Sequence, residues 1–217
     1  YDPLADVQPV ALVAVATFVA TVNPAVPVKT LAELVEYGRA NPGKLNYLNP
    51  GNGSSIHLSA ELLKNQYKFD MTPVPYRGIP PGMTDLLEGR LQVGLLPGPL
   101  ALQHVQAGKL RALAVLADKR LTTLPDVPTF AEAGFADAQV MSWYTIAVRA
   151  GTPAPIVERL HASAMKALES PETRDRLTKA GCEVPALRTP ADVKATWQAD
   201  YARYGKLMKE AGIKADS

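Results

Sequence analysis

Between Leu45 and Leu116 the chain repeats one unit: a short apolar strand runs into a sharp turn that opens a helix. Strands are expected at Leu45–Leu48, Met71–Pro75, Leu91–Leu96 and Leu110–Leu116. Helices are expected from Ser55 to about Asn65, from about Pro81 to Leu87 and from Pro99 to Gln106, with Gly108 ending the last. Strands alternating with short helices imply right-handed crossovers, hence an α/β fold with a parallel sheet and flanking helices. In such a sheet the turns Gly51-Asn52-Gly53-Ser54-Ser55, Tyr76-Arg77-Gly78-Ile79-Pro80-Pro81 and Pro97-Gly98-Pro99 lie on one rim. Backbone N–H groups, hydroxyls and one cation then converge there, which is the chemistry of a small-anion site.

The rest of the sequence narrows the alternatives. Of 217 residues, 47% are hydrophobic and 20% charged, with a net charge of +2 and no basic stripe, so nucleic acid and anionic membrane surfaces are not the expected partners. The longest apolar stretch, Pro9–Val22, is too short to span a bilayer and reads as strand. Cys182 excludes an internal disulfide and reads as a small apolar strand residue rather than a nucleophile. Tyr1-Asp2-Pro3-Leu4 has neither a Met start nor a secretory-signal pattern, and the reading is of a processed chain or a fragment.

Outside the repeat, Ala11–Asn23 reads as one strand. Thr30 caps a helix with Glu33 as its capping-box partner and Leu31, Leu34, Val35 and Gly38 on its inner face. After Ala117 a loop-rich crossing with a short helix at Thr129–Ala133 leads to a strand at Val140–Val148. Helices then follow over Pro155–Leu168, Pro171–Ala180 and Pro190–Ala211, with a short strand beginning at Cys182 and running to Ala186. These helices need a sheet that the C-terminal third scarcely supplies, so two lobes are expected, one of them incomplete.

At the first corner the glycines and hydroxyls favour a carboxylate or phosphate, although Ser54 or Ser55 would also serve as an ordinary N-cap. It is no nucleotide loop, because the Gly-Lys-Ser/Thr ending is absent. At the second corner Tyr76 offers a phenol and Arg77 a guanidinium that can grip a carboxylate with two hydrogen bonds; a solvated surface charge is the alternative for Arg77. The third corner, with Pro97 and Gly98, offers shape and backbone groups only. His57, His104 and His161 lie in separate helices without metal-ligand spacing, and no cofactor or metal is expected. Gly53-Ser54-Ser55 lacks the Gly-x-Ser-x-Gly form of a nucleophile elbow. Asp85 and Glu88 read as a solvated helix face, and Trp143-Tyr144 as core or cleft wall.

Val74-Pro75-Tyr76-Arg77-Gly78, Asp85-Leu86-Leu87-Glu88-Gly89, Ala107 through Val115, Leu124-Pro125-Asp126-Val127-Pro128-Thr129, Glu132-Ala133-Gly134, Ser142-Trp143-Tyr144 and Ala150-Gly151-Thr152-Pro153 occur in this order. That succession, spanning Tyr1 to Ala215, resembles the extracytoplasmic solute receptors of the tripartite tricarboxylate transporter family, the Bordetella-uptake-gene type of periplasmic binding protein. The resemblance implies a type II periplasmic-binding-protein (Venus flytrap) fold, with residues 20–116 as a nearly complete ligand-binding lobe. Residues 1–19 would then approach the hinge of the other lobe, and 117–217 would supply its returning hinge and helical part, that lobe being truncated.

The function implied is non-catalytic: a periplasmic receptor binds a small organic carboxylate and passes it to membrane permease subunits. The ligand residues implied are Gly51, Asn52, Gly53, Ser54, Ser55, with His57 nearby, and Tyr76, Arg77 and Gly78; Pro97 and Gly98 complete the rim. Where amino-acid-selective members often place an acid, this chain has Leu95-Leu96, so the expected ligand carries no ammonium group. A ligand-binding partner of a sensor kinase is the alternative, and an enzyme at the same cleft a weaker one. A truncated lobe would also be expected to bind weakly and to self-associate.

Overall fold

The computed structural model describes residues 2–185, 189–210 and 212, in two compact units. One is formed by residues up to Ala16 together with Ser142–Lys206; the other by Thr17–Met141 and the residues from Leu207 onward.

The apolar run expected as one strand is two, β1 (Val7–Ala16) and β2 (Phe18–Val22), which belong to different sheets. No glycine or proline lies between Ala11 and Val22, so the alternation there cannot reveal a change of sheet. Thr17 marks the break, and its carbonyl accepts the Gly98 N–H at 3.2 Å.

In the second unit α1 (Leu31–Ala40) starts as the sequence requires. The Glu33 amide donates to Thr30 Oγ1 at 3.1 Å, while the Glu33 carboxylate accepts the Lys29 N–H at 2.6 Å. Leu31, Leu34, Val35 and Gly38 form its buried face. The repeat follows as β3 (Asn46–Asn49), α2 (Ser55–Tyr67), β4 (Thr72–Pro75), α3 (Ile79–Leu87), β5 (Val93–Pro97), α4 (Gly98–Gln106) and β6 (Arg111–Leu116).

The sheet order is β4-β3-β5-β2-β6. β3 runs parallel to β4 and β5, and β2 runs antiparallel to both β5 and β6. The four repeat strands therefore share one direction, as expected, but the sheet is mixed because β2 is inserted between the last two. α3 lies so close on β3 that a Cβ on Gly82 would stand 2.8 Å from Leu48 Cγ. The core beneath holds Val19, Leu48, Leu86, Leu96, Ala101 and Val115, each contributing about 1.5–3 kcal/mol where a full side chain is buried, Ala less.

Residues 117–141, assigned to the other lobe on sequence, group with this unit. Val115 and Phe130 explain it: the Val115 N–H donates to Pro128 O at 2.8 Å, the Phe130 N–H donates to Val115 O at 2.9 Å, and the Phe130 ring is fully buried. The helix expected at Thr129–Ala133 is a series of turns instead. Glu132 donates its N–H to Thr129 Oγ1 and accepts the Thr129 N–H, and a 3-10 turn follows at Ala136–Ala138.

In the other unit β1 is the central strand, flanked antiparallel by β7 (Ser142–Arg149) and β8 (Cys182–Glu183). Residues 186–188 of the expected strand extension lie outside the described residues. α5 (Ala154–Glu169) lays Val157 and Ala164 on Val10 and Ala11, and His161 Nδ1 bonds Val10 O at 2.8 Å. α6 (Pro171–Lys179) and α7 (Pro190–Glu210), the latter as far as Lys206, complete the helices of this unit; Ala211, the expected end of the last, is outside the described residues. Trp143 stacks on Trp197 with centroids 5.7 Å apart and donates its indole N–H to Asp200 Oδ2, whereas Tyr144 is 53% exposed and not core. Burial pushes the Cys182 thiol up, away from the thiolate a nucleophile needs.

Candidate functional site

Because β3, β4 and β5 are parallel neighbours, their carboxyl ends place the three corners side by side. The first two are joined directly: the Tyr76 N–H donates to Asn49 O at 2.8 Å, and the Gly78 N–H donates to Pro50 O at 3.0 Å.

Asn49, buried at the end of β3, organises the first corner. Its Oδ1 accepts the Gly51 N–H at 3.1 Å, and its Nδ2 donates to Asn52 Oδ1 at 3.0 Å. Its signal in the sequence is an Asn directly before Pro-Gly, able to bond its own backbone two residues on. Gly53 sits at φ +76°, a conformation that costs a side-chain-bearing residue strain. Ser54 is the N-cap of α2, its hydroxyl accepting the His57 N–H at 3.2 Å. The open choice between the two serines is thus resolved for the cap, which leaves Ser55.

His57 does not face outward. Its ring is buried and its Nδ1 accepts the Gly53 N–H at 3.2 Å, so it belongs to the scaffold of the corner rather than to its surface. The next turn of α2 is also pinned: Glu61 accepts the Tyr47 hydroxyl at 3.0 Å and pairs with Lys64 at 2.9 Å. Burial, and then the Glu61 charge, push the Tyr47 phenol far up, so it remains a donor.

At the second corner the structure corrects the role expected for Tyr76. Its hydroxyl donates to Asp85 Oδ2, and Arg90 grips the other Asp85 oxygen. A phenol whose proton is committed to a carboxylate has none to give a second anion. Tyr76 therefore anchors the corner to α3, and Asp85 is a paired charge on a partly exposed face. The Tyr76 hydroxyl first, and then Arg90, hold the Asp85 carboxyl below the usual carboxylate range. Gly78, at φ +99°, turns the chain into α3.

The third corner offers less than expected. Pro97 and Pro99 have no N–H, and the Gly98 N–H is spent on Thr17 O. A Cβ on Gly98 would meet Leu121 Cδ1 at 3.1 Å, so the corner supplies a close-packed wall.

Among the described residues of the corners, Ser55 and Arg77 each keep both a side-chain and a backbone donor unspent. The Ser55 hydroxyl and amide, half-buried at the first turn of α2, and the exposed Arg77 guanidinium and amide have no partner among the described residues. They stand on the two corners that the Asn49–Tyr76 bond joins, at the positive end of a helix. The corner segments 51–55, 76–78 and 97–99 contain no carboxylate, and Asp85 is already paired. Among the described residues no cluster of His, Cys, Asp and Glu could hold a metal, and no helix is long and apolar enough to cross a membrane.

An α/β unit and a second unit built on a three-stranded sheet are the parts of a periplasmic-binding-protein fold. The chain belongs to the tripartite tricarboxylate transporter family of receptors, whose family model matches residues 1–213. Among curated relatives, a UPF0065 protein of Pseudomonas sp. strain P51 is 33% identical over 217 residues, covering 100% of this chain and 64% of its own length. Protein BugT of Bordetella pertussis is 29% identical over 214 residues, covering 99% and 65%. The chain thus spans just under two thirds of the length of these relatives. Of solved structures, R. palustris Rpa4515 with adipate superposes at a TM-score of 0.83 with 35% identity, covering 100% of this chain and 72% of that one. MatC from Rhodopseudomonas palustris with bound malate gives 0.80 and 32%, covering 95% and 71%.

Proposed function

We propose that this chain is the substrate-binding receptor of a tripartite tricarboxylate-type uptake system. It binds a small carboxylate at the joined corners, without catalysis, and passes it to membrane permease subunits from the periplasm. The observation that carries this reading is the pair of unspent donor groups, Ser55 and Arg77, on two corners held together through Asn49 and Tyr76. A guanidinium can take both oxygens of a carboxylate, and a hydroxyl beside a helix N-terminus can take one of them. Adipate and malate in the solved relatives are carboxylates without an ammonium group, the class expected where the rim offers no acid to pair with one.

Calorimetry of the 217-residue chain against adipate, malate, succinate and aspartate tests the reading. Saturable binding of at least one dicarboxylate is expected, with succinate held more tightly than aspartate. Failure to bind any of the four would overturn the carboxylate assignment, and tighter binding of aspartate would overturn the exclusion of an ammonium group. Chemical conversion of a bound acid, followed by mass spectrometry, would overturn the receptor role.

A further inference from the structure

We infer that His57 is a positioning residue for carboxylate binding: its neutral imidazole holds the Gly51–Ser55 turn in the shape that presents Ser55, without touching the ligand. The inference rests on the carboxylate reading above and adds to it a residue that acts through another.

The geometry is a double clasp. The His57 side chain accepts the Gly53 N–H at Nδ1, 3.2 Å away, while the His57 main-chain N–H donates to the Ser54 hydroxyl, also at 3.2 Å. The two residues before Ser55 are therefore both tied to one residue of α2. They need it, because Gly51 and Gly53 both have positive φ, and a turn with two such glycines has many conformations of similar energy. A ligand that had to order this turn would lose affinity by the entropy of ordering.

The bond also fixes the protonation of the ring. An amide N–H can only donate, so Nδ1 must carry a lone pair, and the single proton of the neutral imidazole must sit on Nε2. The ring has little room to turn away, since it is 6% exposed and tilted against Tyr47 with centroids 6.4 Å apart. Tyr47 is in turn held to α2 by Glu61, so the ring is fixed between the strand and its own helix.

Three substitutions separate the Nδ1 acceptor from simple bulk. Asn places its side-chain oxygen where Nδ1 stands, Gln places it where Nε2 stands, and Leu offers no acceptor. We expect His57→Asn to keep adipate or malate affinity within about threefold of wild type, and His57→Gln and His57→Leu to weaken it about five- to tenfold, the effect of one lost hydrogen bond. Amide hydrogen exchange at Gly53, measured by NMR in the ligand-free protein, should be slow in wild type and His57→Asn and faster in the other two. The Asn and Gln variants decide the matter even if His57→Leu does not fold. Equal affinity in wild type and His57→Gln would overturn the inference while leaving the carboxylate reading standing, as would equal Gly53 exchange in the Asn and Gln variants. Absence of adipate and malate binding by wild type would overturn the inference at its base, and the succinate measurement then decides the carboxylate reading by itself.

Discussion

The Tyr76 amide donates to the Asn49 carbonyl at 2.8 Å, and through this bond the end of β4 takes its position from the end of β3. The Tyr76 ring is held from the other side by Asp85 on α3. Arg77 is thus an exposed side chain on a backbone held from both sides, the arrangement that gives a cation a defined reach.

Arg77 makes no bond within the described residues, so removing it should leave folding intact and weaken binding. Arg77→Ala should lower dicarboxylate affinity about ten- to a hundredfold, the worth of a charge-assisted hydrogen bond, and change unfolding free energy by less than about 0.5 kcal/mol. Arg77→Lys should recover only part of the loss, because an ammonium cannot make the paired contact. Calorimetry and urea denaturation on the same samples measure both.

The adjacent serines should part in the same two assays. Ser54 is the cap of α2, and Ser54→Ala should cost about 1 kcal/mol of stability. Ser55 caps nothing, and Ser55→Ala should leave stability near wild type while reducing affinity several-fold, about 0.5–1.5 kcal/mol. A large loss of stability in Ser55→Ala would show that its hydroxyl serves the fold.

The Tyr76–Asp85–Arg90 network sets a pH window for the second corner. The Asp85 carboxyl is lowered in the folded protein, by the Tyr76 hydroxyl first and Arg90 next, so the folded state holds fewer protons there than the unfolded state. Its contribution is therefore present above the unfolded value, about 4, and is lost as pH falls through the lower folded value. Wild type should lose stability faster than Asp85→Asn below about pH 4 and at the same rate between about pH 6 and 8, by denaturant titration at each pH.

β7 is an edge strand of the three-stranded sheet, and it carries Tyr144 and Ile146 exposed, without a buried residue along its length. Unpaired N–H and C=O groups beside exposed apolar side chains recruit further strands. The 217-residue chain should self-associate with rising concentration in light scattering, and Ile146→Lys should shift it toward monomer. A monomer at millimolar concentration would refute this.

Much of this molecule was legible in order of residues. The strand–corner–helix repeat, the Thr30 cap, the buried face of α1 and the common direction of four strands all follow from local patterns, because turn glycines, capping hydroxyls and apolar spacing act over a few residues. The break at Thr17 was not legible, since β1 and β2 form one apolar run and only their separate partners distinguish them. Nor was the placement of residues 117–141, which depends on Phe130 entering a core built from residues far away in sequence.

Local sequence sets where the corners lie and which donor groups they carry, because glycine supplies the turn conformations and serine and arginine supply the donors. Which of those donors are spent depends on packing between elements. Tyr76 gives its proton to Asp85, Gly98 gives its N–H to Thr17, and Gly53 gives its N–H to His57, whereas Ser55 and Arg77 keep theirs. Hydrogen-bond partners across a sheet or between strand and helix are fixed by packing, and packing sums contacts over the whole unit that no local spacing records.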